Sequence, residues 1–152
     1  MVDELLDAAA MLAGEASRNP SCGRRAVSTA YYAVFHALSD LATGCLLPGV
    51  SNEAEDYVRI YRSLDHGPLK NAFIQAPLKD NPRLRPIGGL IAHLQSERVR
   101  ADYLPADPLL FPHSQVLDLV LQASQIVQEL RALTDDDRRK LAVCLLFRTR
   151  KD

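Results

Sequence analysis

Apolar residues recur along this chain at spacings of three and four rather than two, the period of helices and not of strands. The pattern predicts a first helix over residues 2 to about 18, rich in Ala and Leu. Asn19-Pro20 stops it, because proline cannot continue the hydrogen-bond ladder. Ser21 is placed to cap a longer second helix to about 46, closed by Pro48-Gly49. Ser51 or Asn52 opens a third to about 65, with Glu53, Glu55 and Asp56 near its positive end. His66-Gly67-Pro68 reads as a break before a helical fragment at 69–74, and 77–82 as a loop. Asn81-Pro82 reads as cap and first residue of a helix that fades at Tyr103. A helix over 113–133 follows the Pro105, Pro108 and Pro112 loop. Thr134 with Asp137 then forms a capping pair for a last helix to about 148.

Short connections favour antiparallel neighbours. The expectation is an all-α, up-and-down bundle of about five substantial helices plus fragments, one domain over residues 1–152. Composition fits: 47% of the 152 residues are apolar, enough for a core, and the net charge of -1 excludes a globally basic coat. No apolar run approaches the roughly 20 residues of a membrane span. The first residues, Met1-Val2-Asp3-Glu4, do not read as a secretory leader. The three cysteines lack CxxC spacing, and the four histidines lack the spacing of a zinc helix. The expectation is a reduced, cytoplasmic protein without membrane contact, metal or cofactor.

The second helix has three faces. Val27, Tyr31, Val34, Leu38, Leu41 and Cys45 follow a 4-3-4-3-4 seam. Ala26, Ala30, Ala33 and Ala37 form a small-residue stripe suited to close approach by another helix, from this chain or a second copy. Ser28, Tyr32, His36 and Asp40 form a polar face, either a buried hydrogen-bond network or a proton-relay or substrate-contacting line.

The string 24–38, RRAVSTAYYAVFHAL, resembles the signature helix of HEPN-domain proteins, most closely a group of uncharacterised bacterial HEPN-like proteins. The pieces YRSLDHG at 61–67, RVRADYLP at 98–105 and DRRKLAV at 137–143 resemble further elements of that group. The resemblance implies an all-α bundle, commonly homodimeric, in a family whose members bind or cut RNA. Some are toxins held by a small nucleotidyltransferase antitoxin. Active members carry an Arg and a following His with four to six residues between them and need no metal, with His moving protons and Arg steadying phosphate.

Arg59 and His66 meet that spacing, and Arg62 and His66 are an i, i+4 pair on the expected third helix. These three are the catalytic candidates for an endoribonuclease reading. Their bland alternative is a solvated helix face, with Glu55 beside Arg59. At the Tyr-containing element, where the family implies the motif, Asp102 stands in place of His. A carboxylate does not serve as a proton donor at neutral pH without a large shift, and it repels phosphate. The preferred reading is therefore an RNA- or partner-binding domain with a degenerate ribonuclease site. Its candidate binding residues are Arg25, His36, Arg98, Arg100, Asp102 and Tyr103. Arg98 extends the apolar line Leu84, Ile87, Ile91, Leu94, so it must pair with a carboxylate such as Asp40 or Asp102, or face a cleft. Tyr103 can stack on a base or cap the core. A pure interaction module remains a third reading. The last helix carries basic residues at 138–140 and at Arg148, Arg150 and Lys151, flanking an apolar run over 141–147, which suits either docking on RNA or an acidic partner or a core helix with snorkelling Arg stems.

Overall fold

The computed structural model describes residues 1–148; Arg150 and Lys151 lie outside the described residues. All regular structure among them is helical. The α-helices are α1 (Val2–Glu15), α2 (Pro20–Leu46), α3 (Glu55–Tyr61), α4 (His66–Phe73), α5 (Leu84–Tyr103), α6 (His113–Arg131) and α7 (Asp135–Leu146), with a 3-10 turn at Leu78–Asp80. The all-α class is as expected. The count is not: seven α-helices stand among the described residues in place of about five.

Part of the difference lies at α3 and α4, expected as one helix and a fragment. Pro68 is the third residue of α4, where its missing N–H is no loss. In the interior of a helix continuing from α3, its ring would clash with the carbonyl four residues back, so the helix must restart. The Ser63 hydroxyl and amide both donate to the Ile60 carbonyl, at 2.6 and 2.9 Å, and close α3. Buried Leu64 then anchors the extended link before α4.

Two Asn-Pro steps set the long helices. The Asn19 side-chain oxygen accepts from the Ser21 amide at 3.1 Å, so Asn19 rather than Ser21 opens α2, with Pro20 first in the helix. The Asn81 side-chain oxygen accepts from the amides of Arg83 and Leu84 at 2.9 and 3.0 Å, but α5 starts at Leu84, so Pro82 lies in the turn before the helix rather than first in it. Ser51 does not cap α3; its hydroxyl accepts from the Glu53 amide in a turn ahead of it, and Ala54 stands at the N-cap without a side-chain bond. Gly49, at φ +76, takes the left-handed turn after α2.

The chain groups into two compact units. The first joins Met1–His36 to Leu90–Gln128; the second joins residues 37–89 to the chain from Glu129 on. In the first, Val27, Tyr31 and Val34 of α2, Ile91 and Leu94 of α5, and Val116 and Ile126 of α6 are wholly buried. Ala26, Ala30 and Ala33 are also fully buried within the single chain, so intrachain packing covers these three residues of the small-residue stripe, while Ala37 is half-buried. In the second unit Leu38, Leu69, Leu84, Ile87 and Leu141 are wholly buried. No helix among the described residues is long and apolar enough to cross a membrane.

Candidate functional site

Arg98 sits on the core-facing stripe of α5, its side chain only 14% exposed. A guanidinium at such a place must be compensated. Its Nε lies 2.8 Å from Asp102 Oδ2, one helical turn on. The approach is off the N–H direction, so this is a charge contact rather than an aligned hydrogen bond. Its Nη2 donates to the Tyr32 hydroxyl at 2.7 Å. The rings of Tyr31, Tyr32 and Tyr103 stand 5.8, 5.3 and 5.7 Å from its Cζ, within cation–π range. Burial alone disfavours the charge, but the Tyr32 oxygen, then Asp102 and Tyr103, outweigh it and raise the Arg98 pKa above its ordinary value. Of the two carboxylates the sequence offers, Asp102 is the partner.

Beside this group the first unit has a cavity of about 520 Å³. Its α2 wall is Ser21, Arg24, Arg25, Ser28 and Tyr32, and its α5 wall is Ala101, Asp102 and Tyr103. Ser21, Arg25, Ser28 and Tyr32 follow a 4-3-4 spacing, which places them on one helical face. Arg24 closes the lower end of α5. Its Nε donates to the Ala101 carbonyl at 2.6 Å, Nη1 to Pro105 at 3.2 Å, and Nη2 to Leu104. Carbonyls that the helix end leaves without partners are thereby satisfied by a cation at the negative pole. These partners carry no formal charge. Among the lining residues the one carboxylate, Asp102, is matched by Arg98 outside the lining, so the charges of Arg24 and Arg25 stand unbalanced there. Tyr103 is 71% exposed and presents its ring at the mouth.

The other candidates are placed as follows. Arg100 turns away from this cavity: its Nη1 makes a two-oxygen pair with nearly buried Glu97 at 2.8 and 3.0 Å, and its Cζ lies 5.5 Å from the Phe111 ring. Gln115 of α6 donates to the same carboxylate at 3.3 Å, so Arg100 and Glu97 tie α5 to α6 and the loop before it. His36 does not line the cavity; its ring stands edge-on to Phe35 with centroids 6.1 Å apart. Asp40, the last residue of the polar face, lies in the second unit, where its charge acts on Tyr57 and Tyr61.

Arg59, Arg62 and His66 also belong to the second unit. The single helix face proposed for them does not form: Arg59 is on α3, Arg62 is its C-cap, and His66 begins α4. The i, i+4 relation of Arg62 and His66 is broken by the extended backbone of Asp65, φ -123 and ψ 144.

Ser21, Ser28, Tyr32 and Arg24 are not among the binding candidates the sequence marks, although Ser28 and Tyr32 stand on the polar face that one reading makes a line of substrate contacts. The 4-3-4 spacing with Arg25 was the available signal for the first three. Arg24 had none, since its partners are backbone carbonyls some eighty residues away. Chemically, the cavity offers guanidinium, hydroxyl and aromatic groups, and no imidazole or thiol lines it. Among the described residues no three His, Cys, Asp or Glu side chains cluster to hold a metal ion. Compared with protein-family models, curated proteins and solved structures, the chain matches none of them.

Proposed function

We propose that this chain is a HEPN-type helical bundle that binds single-stranded RNA without cutting it, through the cavity between α2 and α5. The carrying observation is the Arg98–Asp102–Tyr32 group. The arginine that would steady a phosphate is already held by a carboxylate and a phenol, and the position implied for the proton-moving histidine is that carboxylate. Such a site retains attraction without a proton donor. Arg24 and Arg25 supply phosphate attraction, Ser21 and Ser28 hydroxyls, and the exposed face of Tyr103 a surface on which a base stacks. Dimerisation, which the HEPN resemblance implies, would use a face other than Ala26, Ala30 and Ala33 of α2, which the chain itself buries.

The test incubates labelled single-stranded RNA with purified protein in EDTA and reads both a gel shift and strand integrity. The expected result is shifted, intact RNA, with the shift weakened by Arg25→Glu and by Tyr103→Ala. Stacking on one aromatic ring is worth about 1–3 kcal/mol, so Tyr103→Ala should weaken binding about fivefold or more. Cleavage that disappears in His66→Ala would replace this reading by the endoribonuclease toxin. No shift at all would leave the pure interaction module.

A further inference from the structure

The second unit contains a larger concavity, about 870 Å³, between α4 and α7, which the RNA reading does not use. Its lining is mixed, with Asn71 and Gln75 set among apolar side chains. Pro68 and Ala72 of α4, Ala76 beyond it, and Val143 and Phe147 on the α7 side line it. Val143 and Phe147 are 51% and 57% exposed, unusual for large apolar residues grouped in one recess. Cationic side chains stand along the α7 side: Arg139, Lys140 and Arg148. Among the described residues no carboxylate lines the recess. Arg139 and Lys140 both pair with Asp136, at 2.7 and 2.6 Å, and the Asp137 charge also acts on Lys140. Cys144 also lines the recess, but burial pushes its thiol pKa up, which keeps it protonated and unreactive at neutral pH.

From this combination we infer that the α4–α7 groove is a docking site for an acidic amphipathic helix of a protein partner. Apolar anchors at i, i+3, i+4 and i+7 of such a helix fill the space between Pro68, Ala72, Val143 and Phe147. Acidic residues on its flank meet Arg139, Lys140 and Arg148. A second copy of this chain is the poorer occupant. A two-fold contact through this groove sets the same three cations against themselves. Nucleic acid is poorer too, because its phosphates gain nothing from the apolar part of the lining, Pro68, Ala72, Val143 and Phe147.

The test is a selection from a displayed library of random peptides, about 16 residues long so that four helical turns can form, against the full-length protein. The expected winners carry net negative charge and apolar residues at helical spacing. Val143→Glu should weaken their binding at least about tenfold, equivalent to about 1.4 kcal/mol, and Arg139→Glu should weaken it severalfold. Leu121→Glu, which adds the same charge at an exposed site on α6, should leave binding unchanged. Both replaced groove residues are exposed, and circular dichroism checks that each variant is folded. A selection that yields no binders, winners without an acidic bias, or binding unmoved by Val143→Glu would overturn the inference. So would displacement of the winning peptide by single-stranded RNA that is itself lost in Arg139→Glu, which would make the groove a nucleic-acid site.

Discussion

Two adjacent glycines in α5 should respond to the same substitution with opposite signs. Gly88 is buried and Gly89 exposed. A methyl added at Gly88 falls 2.5, 2.6 and 2.7 Å from Cδ1, Cγ and Cβ of Phe73, closer than real carbon contacts allow. Rotation of the Phe73 ring cannot relieve this, because its Cβ moves only with the α4 backbone. Overpacking of this kind costs about 1–3 kcal/mol. Alanine returns about 1 kcal/mol of helix propensity, so the net for Gly88→Ala is a loss of up to about 2 kcal/mol. A methyl at Gly89 meets nothing within 4 Å. Gly89→Ala should therefore keep the propensity gain, about 0.5–1 kcal/mol. Thermal unfolding followed by circular dichroism reads both. At this chain length 1 kcal/mol moves Tm by about 2–4 °C, so Gly88→Ala should melt up to several degrees lower and Gly89→Ala a few higher. Adding Phe73→Leu to Gly88→Ala should recover part of the loss, since contacting residues do not act additively. If Gly88→Ala raised Tm as Gly89→Ala does, the close approach of α4 to α5 would be refuted.

Further predictions follow from the ends of helices and from one tyrosine. Arg24→Ala should cost about 1–2 kcal/mol in urea unfolding, because the Ala101, Leu104 and Pro105 carbonyls lose a charged donor. Arg24→Lys should restore less than half, since an ammonium cannot span three carbonyls as the guanidinium does. The Tyr61 phenol is pushed up from 10.0 to about 12, chiefly by burial and next by the Asp40 charge. Above pH 10 the unfolded phenol ionises while the folded one keeps its proton, so this contribution to stability, intact below pH 10, is lost as pH rises to about 12. Urea midpoints should accordingly fall less steeply over that range in Tyr61→Phe than in the wild type.

The long helices could be read from the sequence because their apolar spacing is sustained over many turns, as in Leu84, Ile87, Ile91 and Leu94, all wholly buried. The short ones could not. Periodicity carries across a break when flanking residues keep its phase, which is how 52–65 reads as one helix although Pro68 forces a restart at His66. At the site, Arg98 was marked by a charge on an apolar stripe, and Asp102 by its position one turn away. Tyr32 was recognisable as part of a polar face but not as the partner of Arg98, because the contact spans 66 residues of sequence. Arg100 lies only two residues from Arg98 yet faces Glu97 and Phe111, since two residues along a helix turn the side chain to another side.

The central claim is that Arg24 and Arg25 hold RNA by charge at the α2–α5 cavity. The most direct test is the salt dependence of binding, measured by fluorescence anisotropy with labelled single-stranded RNA between about 50 and 200 mM salt. Two phosphate contacts predict a slope of log K against log salt of about -1.4, and Arg25→Ala should reduce its size by about 0.7. A slope unchanged by Arg25→Ala, or no measurable RNA affinity in the wild type, would contradict it.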